Sequence, residues 1–315
     1  MLSGEKILIT GPAGQIAYPL TEYLARDNEV WGIARFSNAE DRARVDALGV
    51  TTRAVDLGSG AFDDLPEDFT HVLHLATFQG PGLDYDEALR VNAEGTGLLL
   101  QHCRRAKAAL VMSTASVLKP HPDPMHVFHE GDPLGDANVT HAPTYSVSKT
   151  AEEAVARYCA RAFDLPVVIA RMNASYGPGG GLPTMHMDAV LAGRPITTRW
   201  DPCMYSPIHQ DDINSQAAAL LDAASTPATV VNWGGDEPVS VQEWAAYTAE
   251  LSGLPAEVVV REQPGTLRGQ IQDTTKRAAI TGPCAVDWRA GLARVYASRR
   301  DDSARPGRAA SGSAR

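Results

Sequence analysis

Hydrophobic residues occur in short blocks along the first half of the chain, separated by amphipathic stretches. The first block, Lys6–Thr10, has the length of a strand and is followed by a glycine-containing loop and a helical pattern that runs toward Arg26. This regular alternation predicts an α/β fold, a doubly wound parallel sheet of the Rossmann type with helices on both faces. Ligands bind such a sheet beyond the carboxyl ends of its strands. The further blocks of strand length are Glu29–Ala34, Thr51–Val55, His71–Leu75, Ala109–Ser113, Val167–Arg171 and Thr229–Trp233.

Helical periodicity fills most of the remaining chain. Ser240, with Glu243 three residues further on, has the pattern of a capping box at a helix start. The segment Arg194–Pro207 shows no period and is predicted to be irregular. The predicted helices are Asp41–Leu48, Tyr85–Lys107, Ser146–Phe163, Met185–Ala192, Asp212–Ala223 and Val239–Leu251.

The loop after the first strand, Gly11-Pro-Ala-Gly14, stands directly before a predicted helix. Glycine reaches positive φ and has no Cβ, so backbone N–H groups of this loop can come close to a ligand. The helix N-terminus adds free N–H donors and a positive dipole, which suit a pyrophosphate. A plain structural turn is the alternative, but the order of strand, glycine loop and helix favours a dinucleotide site.

The end of the second strand predicts which nicotinamide dinucleotide is preferred. An acidic residue at this place holds the ribose hydroxyls of NAD, whereas this chain has Ala34 followed by Arg35. A guanidinium is a forked donor for a 2′-phosphate, so we favour NADP, with NAD as the alternative; Arg35 as a merely solvated charge remains open. Asp56, after the third strand, is a candidate acceptor for the adenine amino group or simply the start of a turn.

Tyr145 and Lys149 stand four residues apart at a helix start, so both side chains face the same way. A free tyrosine phenol, with a pKa of about 10, is a poor base at neutral pH. A lysine ammonium one turn away and a positive nicotinamide ring both stabilise the phenolate. Tyr145 can then exchange a proton with a substrate oxygen while hydride passes to or from the cofactor. Without the glycine loop, such a pair would more often be a surface pair.

A third polar group is expected at the carboxyl end of the fifth strand, within Met112-Ser-Thr-Ala-Ser-Val117. A hydroxyl at this edge can hydrogen-bond the reacting oxygen and position it. We choose Thr114, with Ser113 and Ser116 as neighbours. The alternative is that these small residues only close a strand.

Taken together, these stretches resemble the extended short-chain dehydrogenases/reductases of the NAD-dependent epimerase/dehydratase family. The resemblance covers nearly everything but the C-terminal tail. It implies Thr114, Tyr145 and Lys149 as the catalytic residues, places Asn92 beneath the site, and suggests a homodimer through the Tyr85–Lys107 and Ser146–Phe163 helices. The matching segments are Thr10-Gly-Pro-Ala-Gly14, Asp56-Leu57, His74-Leu-Ala76, Asn92-Ala-Glu-Gly-Thr96, Ser113-Thr-Ala-Ser116, Tyr145–Lys149, Arg171 with Tyr176-Gly-Pro178, His209-Gln-Asp-Asp-Ile213 and Asn232-Trp-Gly234. The cofactor contacts that it implies are Gly11, Gly14, Gln15, Ile16, Asp56, Leu57, Leu75, Ala76 and Lys149.

Departures from the family pattern bear on the substrate. Ala17 replaces the usual third glycine, and Ala174 stands at the place of the usual asparagine, with Asn173 before it. Tyr205 stands where nucleotide-sugar members carry an arginine that grips the diphosphate, and Arg199 is out of register. We therefore expect a smaller polar substrate, with a sugar-like compound as one candidate, although aromatic residues of this kind are more often core packing. The candidate substrate contacts are Gln79, Asn173, Met185, Trp200 and Tyr205.

The main functional prediction is an NAD(P)-dependent oxidoreductase that transfers hydride at a secondary alcohol or ketone of a small polar substrate. A nucleotide-sugar epimerase or dehydratase that recycles its cofactor in place is the first alternative, and a noncatalytic dinucleotide-sensing protein is the second. His121, His126 and His129 lack strict ligand spacing, so no metal site is expected. The chain has no Gly-x-Ser-x-Gly elbow, which argues against a serine hydrolase.

The order of the predicted elements divides the chain into domains. We predict a dinucleotide-binding domain over 1–176 and 211–235, a substrate lobe over 177–210 and 236–297, and a disordered tail over 298–315, where arginine, serine, alanine and glycine dominate. The break in alternation after Arg171 motivates the second unit.

Composition narrows the partners and the compartment. The net charge of −10 argues against a nucleic-acid partner, and no apolar run approaches the roughly 20 residues of a membrane span. The four cysteines have no paired spacing, which favours reduced thiols and a cytoplasmic protein. A first strand that starts by Lys6 leaves no room for a signal peptide.

Overall fold

The computed structural model describes residues 2–304 of the chain. Its strands, in chain order, are β1 (Lys6–Thr10), β2 (Glu29–Ala34), β3 (Thr51–Ala54), β4 (His71–His74), β5 (Ala108–Thr114), β6 (Val127–Phe128), β7 (Val167–Met172), β8 (Ser175–Gly177), β9 (Gly180–Gly181), β10 (Ile196–Thr198), β11 (Met204–Tyr205), β12 (Ile208–His209), β13 (Thr229–Trp233), β14 (Val239–Ser240), β15 (Val258–Val260) and β16 (Gly269–Gln272). Its α-helices are α1 (Ala17–Ala25), α2 (Ala39–Asp46), α3 (Tyr85–Leu89), α4 (Gly95–His102), α5 (Tyr145–Phe163), α6 (Leu182–Leu191), α7 (Gln210–Asp222), α8 (Val241–Ser252), α9 (Thr275–Thr281) and α10 (Trp288–Ala304).

A seven-stranded sheet in the order β13-β7-β5-β4-β1-β2-β3 forms the centre, and every pair in it is parallel. Alternate residues of a strand point to opposite faces. Ile7 and Ile9 therefore pack with Leu20 of α1 on one face, whereas Leu8 packs in the cluster of Leu99 of α4 on the other. The predicted doubly wound parallel sheet is confirmed.

The strand order reverses at β1, which lies between β2 and β4. Connections leave toward opposite faces at such a point, and a crevice opens at the carboxyl ends of the strands. The glycine loop follows β1 directly, so the topology brings this loop to that crevice.

The long helix predicted over Tyr85–Lys107 is interrupted. A π-helical turn, Arg90–Glu94, separates α3 from α4, and α4 ends at His102. The turn places Asn92, which is buried, against the backbone of Phe78. Periodicity does not report such a tertiary hydrogen bond, and the extra backbone residue of the turn is therefore invisible in the pattern.

Three smaller sheets, β10-β15, β14-β11-β16-β6 and β12-β8-β9, lie beside the large one. A separate hydrophobic core supports them, with Tyr176, Trp244 and Trp288 among its members. The segment Arg194–Pro207 is more regular than predicted, because β10 and β11 pair with β15 and β16. The pairing of β6 with β16 joins part of residues 1–176 to a smaller sheet. The domain boundaries stay a prediction.

Predicted helix starts agree with the structure where the cap is local. Ser240 and Glu243 form the expected capping box at the start of α8. Helix α6 begins at Leu182, earlier than predicted, with Pro183 in its first turn, a position that suits proline because it needs no N–H donor.

The last helix corrects the predicted tail. Helix α10 extends to Ala304, so residues 298–304 are helical rather than disordered. Leu292 and Val295 are buried in the smaller core, and Arg299 Nε donates to Asp188 Oδ1 at 2.7 Å. These contacts hold the helix through a stretch whose composition alone indicates disorder. The rest of the predicted tail, 305–315, lies outside the described residues.

Two observations concern the predicted compartment. Cys103, Cys159, Cys203 and Cys284 are all free thiols. Within residues 2–304, no helix combines the length and the apolar character needed to cross a membrane.

Candidate active site

A cavity of about 520 Å³ lies at the carboxyl edge of the seven-stranded sheet. Two predicted substrate contacts, Gln79 and Asn173, line it, as do all residues predicted for catalysis and cofactor binding. The structure thus brings together residues that lie far apart in sequence, and their individual roles stay predictions. The predicted catalytic and cofactor residues in its wall are Gly11, Gly14, Gln15, Ile16, Arg35, Asp56, Leu57, Leu75, Ala76, Thr114, Tyr145 and Lys149.

The glycine loop forms a tight cradle at one end of the cavity. Gly11 has φ of +64°, and a Cβ on it would lie 3.1 Å from Cα of Ala76. The N–H of Gly14 donates to the carbonyl of Gly11 at 2.9 Å. Only glycine fits at position 11, both for its backbone angle and for this close approach. A dinucleotide pyrophosphate would fit against the two positions of this loop that lack a Cβ, Gly11 and Gly14, ahead of α1.

A single hydroxyl ties the glycine loop to the loop after β4. Thr10, the last residue of β1, is fully buried. Its Oγ1 accepts the N–H of Leu75 at 3.0 Å and the N–H of Ala76 at 2.9 Å, and lies 2.9 Å from His74 Nδ1. Both loops that flank the cavity therefore share one anchor.

The residues predicted for the adenosine end lie as expected but differ in their engagement. Arg35 is exposed at the cavity wall. Asp56 accepts the N–H of Gly58 at 3.2 Å and a hydrogen bond from Arg90 Nη2 at 3.1 Å. Asp56 therefore begins a turn and lines the cavity at once, and the two interpretations of this residue are compatible.

The predicted catalytic residues come from the end of β5 and the start of α5. Thr114 closes β5, and its Oγ1 accepts the N–H of Ser116 at 3.2 Å. Lys149 is buried, and its Nζ donates to the Met112 carbonyl at 2.8 Å. Ser113 is used elsewhere, since its hydroxyl donates to Glu153 Oε1 at 2.6 Å. Thr114 is therefore the hydroxyl of this strand end that remains for a substrate oxygen.

Asn92 packs beneath the site, as the resemblance implies. Its Nδ2 donates to the Phe78 carbonyl at 3.0 Å and to Ser148 Oγ at 2.9 Å. Its Oδ1 accepts the N–H of Phe78 at 2.6 Å. The amide thereby joins the loop after β4 to the first turn of α5, which presents Tyr145.

Two adjacent carboxylates on α5 were missed by the sequence analysis. Glu153 receives two hydrogen bonds from Arg171, each of 2.8 Å. Glu152 forms an ion pair with Lys149 and has Oε1 3.7 Å from His74 Nε2. The signal was available, because residues three and four after Lys149 share its side of a helix.

Three predicted substrate contacts lie outside the cavity wall. Trp200 and Tyr205 belong to the smaller hydrophobic core, where Trp200 Nε1 donates to Thr266 Oγ1 at 2.9 Å. Met185 is 63% exposed on α6. The interpretation of Trp200 and Tyr205 as core packing describes their positions better than substrate contact.

Asn173 lines the cavity, but its amide is already engaged. Nδ2 donates to the Gln270 carbonyl at 2.7 Å, and Oδ1 accepts the N–H groups of Ala174 and Ser206. Gln79, in contrast, is exposed in the loop after β4. Sequence reasoning also missed several apolar lining residues, for which position in a strand-end loop or helix was the available signal. Examples are Phe78, Val91 and Met172.

The histidines of the loop before α5 pair with carboxylates and with each other. His121 and His126 stack with ring centroids 4.0 Å apart, and His126 Nε2 lies 3.2 Å from Asp132 Oδ2. In the described part of the chain, no three His, Cys, Asp or Glu side chains are grouped so as to hold a metal ion.

Known structures share this architecture over almost the whole chain. MoeE5, solved with UDP-glucose and NAD, is 25% identical, with a TM-score of 0.79 over 95% of this chain and 100% of that one. UDP-glucuronic acid 4-epimerase from Bacillus cereus, solved with UDP-glucuronic acid and NAD, is 23% identical, with a TM-score of 0.80 over 94% of this chain and 99% of that one. UDP-glucose 4-epimerase from Thermotoga maritima, solved with UDP-glucose, is 20% identical, with a TM-score of 0.79 over 95% and 99%.

Sequence comparison gives the family directly. A search of curated proteins found no match to this chain. The model of the NAD dependent epimerase/dehydratase family matches residues 7–197. This range holds the glycine loop, Thr114, Tyr145 and Lys149, and it exceeds half of the chain. The chain therefore belongs to the NAD-dependent epimerase/dehydratase family.

Proposed function

We propose that this protein epimerises or dehydrates a nucleotide sugar, with a nicotinamide dinucleotide that is recycled within the site. The observation that carries the proposal is the convergence of Thr114, Tyr145 and Lys149 with the glycine loop on one cavity. The ligands of MoeE5, UDP-glucose and NAD, favour this function over net oxidation or reduction of a small polar substrate.

The chain's own residues supply the proton chemistry. A nicotinamide dinucleotide held by its pyrophosphate at the glycine loop would supply the acceptor and donor of hydride. Thr114 hydrogen-bonds the reacting substrate oxygen and holds it beside Tyr145. Tyr145 removes the proton from that oxygen and later gives it back. Lys149, held by the Met112 carbonyl, places a positive charge one helical turn from the phenol and so favours the phenolate.

We propose that Arg199 turns from Tyr205 to bind the diphosphate of the substrate. Its Nη2 donates to Tyr205 Oη at 3.1 Å, so a guanidinium lies against the residue that stands where the family resemblance expects an arginine. A guanidinium is the side chain best suited to phosphate oxygens. Arg199 lies outside the wall of the cavity, and the proposal requires it to turn from Tyr205 toward the substrate.

Two observations point to different cofactors, the solved neighbours to NAD and Arg35 to NADP. The solved neighbours MoeE5 and the B. cereus epimerase hold NAD, which does not support the predicted preference for NADP. Arg35 at the cavity wall is the only argument for NADP. We propose NAD as the cofactor of turnover, and an effect of Arg35 on NADP affinity stays a prediction.

The direct test is incubation of the purified protein with NAD and either UDP-glucose or UDP-glucuronic acid. Proton NMR follows new sugar products, and absorbance follows reduced nicotinamide. Product without net reduced cofactor supports the proposal. Stoichiometric accumulation of reduced cofactor would instead support the oxidoreductase, and the absence of any product from either sugar contradicts both assignments for these substrates.

Tyr145→Phe separates an enzyme from a dinucleotide sensor. Loss of the phenol should lower turnover by roughly 10²- to 10⁴-fold, as expected for a general acid–base group, with little change in thermal unfolding. Tyr158→Phe, at a side chain that is 68% exposed on the same helix, is the matched control. Unchanged cellular function in Tyr145→Phe would favour the noncatalytic alternative.

We also propose a homodimer and a cytoplasmic location. Leu98, Val147 and Tyr158 are large apolar side chains exposed on α4 and α5, the two helices that the family resemblance places at the dimer contact. The free cysteines fit a reducing compartment. Light scattering on the wild type and on Tyr158→Glu tests the dimer, which the variant should weaken.

A further inference from the structure

Glu152 is a carboxylate in an unusual place. It is wholly inaccessible to solvent, one turn of α5 after Lys149, and forms an ion pair with that ammonium. Its Oε1 accepts no hydrogen bond from the described residues. Lys149 is thus held from two sides, by this carboxylate and by the Met112 carbonyl at 2.8 Å.

His74 on β4 faces the free oxygen, and its hydrogen bonds fix its protonation. Thr96 Oγ1 donates to the Asn92 carbonyl at 2.6 Å, so it can only accept from His74 Nε2, which lies 2.7 Å away. Thr10 Oγ1 already accepts two backbone N–H groups, and its proton points to His74 Nδ1 at 2.9 Å. His74 is therefore the neutral Nε2–H tautomer.

The proton on Nε2 of His74 is committed mainly to Thr96, because the Glu152 oxygen lies further away, at 3.7 Å. Burial, and next the charge of Lys149, lower the pKa of His74 to about 3, which agrees with a neutral ring. Glu152 consequently faces three titratable groups: Lys149 and Glu153 on its own helix, and the uncharged His74 on β4. Lys149 is the only cation among them.

We propose that Glu152 is a positioning residue for the Tyr145–Lys149 pair: its carboxylate holds the Lys149 ammonium in place and determines how much of that positive charge acts on Tyr145. The proposal deepens the proposed function, on which its catalytic consequence rests. An ionised Glu152 offsets the ammonium, whereas a protonated Glu152 leaves the full charge to stabilise the Tyr145 phenolate.

The titration of Glu152 falls in a useful range. Burial raises its pKa to about 7, although the charge and hydrogen bond of Lys149 act in the opposite direction. The carboxyl group therefore changes charge near neutral pH. Two groups this close titrate as a coupled system, so Glu152 should make the Tyr145–Lys149 pair respond to pH.

The test measures phenol ionisation rather than turnover. Tyrosinate absorbance is titrated in the wild type and in Glu152→Gln, and each curve is corrected by the same protein carrying Tyr145→Phe, so that the other tyrosines cancel. Without the carboxylate, Tyr145 should ionise roughly one to two pH units lower, as expected for a unit charge roughly 6–12 Å away at an effective dielectric constant of about 20. Glu250→Gln, an equal charge change at an exposed position of α8, should give the wild-type curve.

Turnover provides the second readout. The acid limb of the kcat/KM profile of Glu152→Gln should move to lower pH by the same amount, whereas a purely structural role would lower activity without moving it. An unchanged or higher ionisation midpoint for Tyr145 would overturn the proposal. Glu152→Ala should shift the midpoint in the same direction, and failure of both variants to fold would assign Glu152 a structural role and also overturn it. Absence of turnover on any nucleotide sugar would contradict the proposed function while the phenol titration still decides the role of Glu152.

Discussion

The two sides of helix α5 treat equally buried carboxylates in opposite ways. On one side, Glu153 receives both forks of Arg171 and the hydroxyl of Ser113. Burial alone raises the pKa of Glu153, but these donors reverse the effect and bring it below its ordinary value. On the other side, Glu152 has one ammonium, and burial raises its pKa to about 7. The number of donors, rather than the degree of burial, decides whether a carboxylate in this core is charged.

The side of α5 that carries Glu153 should contribute more to the stability of the fold than the side that carries Glu152. In Arg171→Met, Glu153 remains buried without its main partner, which typically costs about 3–5 kcal/mol. Denaturant unfolding at neutral pH measures this loss. Arg157→Met is the matched control, because Arg157 is half-exposed and lies 3.7 Å from Glu153. A long contact from a half-exposed, solvent-screened guanidinium contributes at most about 1 kcal/mol, so equal losses in the two variants would contradict the comparison.

The contribution of Glu152 to the unfolding free energy should depend on pH. Folded Glu152 binds its proton more tightly, with a pKa of about 7 against 4.5 for the ordinary group. The stability that Glu152 contributes is therefore present below pH 4.5 and is lost as pH rises toward 7. The unfolding free energy of the wild type minus that of Glu152→Gln should fall by up to about 3 kcal/mol over this range. A difference that is independent of pH would contradict the pKa assignment.

The sequence predicts most of the central sheet and the position of the cavity, because the topology of a parallel sheet determines where the ends of its strands lie. The bounds predicted for Lys6–Thr10, Glu29–Ala34 and Thr229–Trp233 coincide with β1, β2 and β13. Short, largely apolar runs are typical of the strands of a parallel sheet, because helices cover both of its faces. Residues at the carboxyl ends of parallel strands converge. The glycine loop and Thr114 therefore meet although they are distant in the chain.

The remainder depends on contacts that no local pattern contains. A glutamate on an amphipathic helix is normally solvent-exposed, whereas Glu152 is buried beside His74 of β4, whose ring is hydrogen-bonded to Thr96 of α4. The aromatic residues Trp200 and Tyr205 fit a ligand contact and a core equally well by composition. Their place in the smaller core is decided by packing against distant segments.

The amide of Asn92 links the first turn of α5 to the loop after β4, and its removal should have an effect of intermediate size. Asn92→Ala removes the bonds to Phe78 and Ser148 and should lower the unfolding free energy by about 2 kcal/mol, since buried backbone groups lose their partner. Ser148→Ala breaks only one of these links and should cost about 1 kcal/mol. A larger loss in Ser148→Ala than in Asn92→Ala would show that the amide is not the main link.

The smallest expected effect concerns Arg35, the residue after β2. Arg35→Ala should reduce affinity for NADP relative to NAD by roughly fivefold, as expected for an exposed ion pair of about 1 kcal/mol. Thermal shifts with each dinucleotide measure the preference. Arg105→Ala, at an exposed ion pair with Glu67, should leave it unchanged. An unchanged ratio of NADP affinity to NAD affinity in Arg35→Ala would overturn the argument from Arg35.

The hydroxyl of Thr10 couples the loops after β1 and β4, which both border the cavity. Because the amides of Leu75 and Ala76 both end on this oxygen, the segment after β4 cannot shift without pulling on the segment after β1. Exchange of this threonine for valine, which keeps the shape, would leave the N–H groups of Leu75 and Ala76 and the Nδ1 atom of His74 without this hydrogen-bond partner. We therefore expect a shift of the loop after β4 to be felt at the end of the neighbouring strand β1 through this one oxygen.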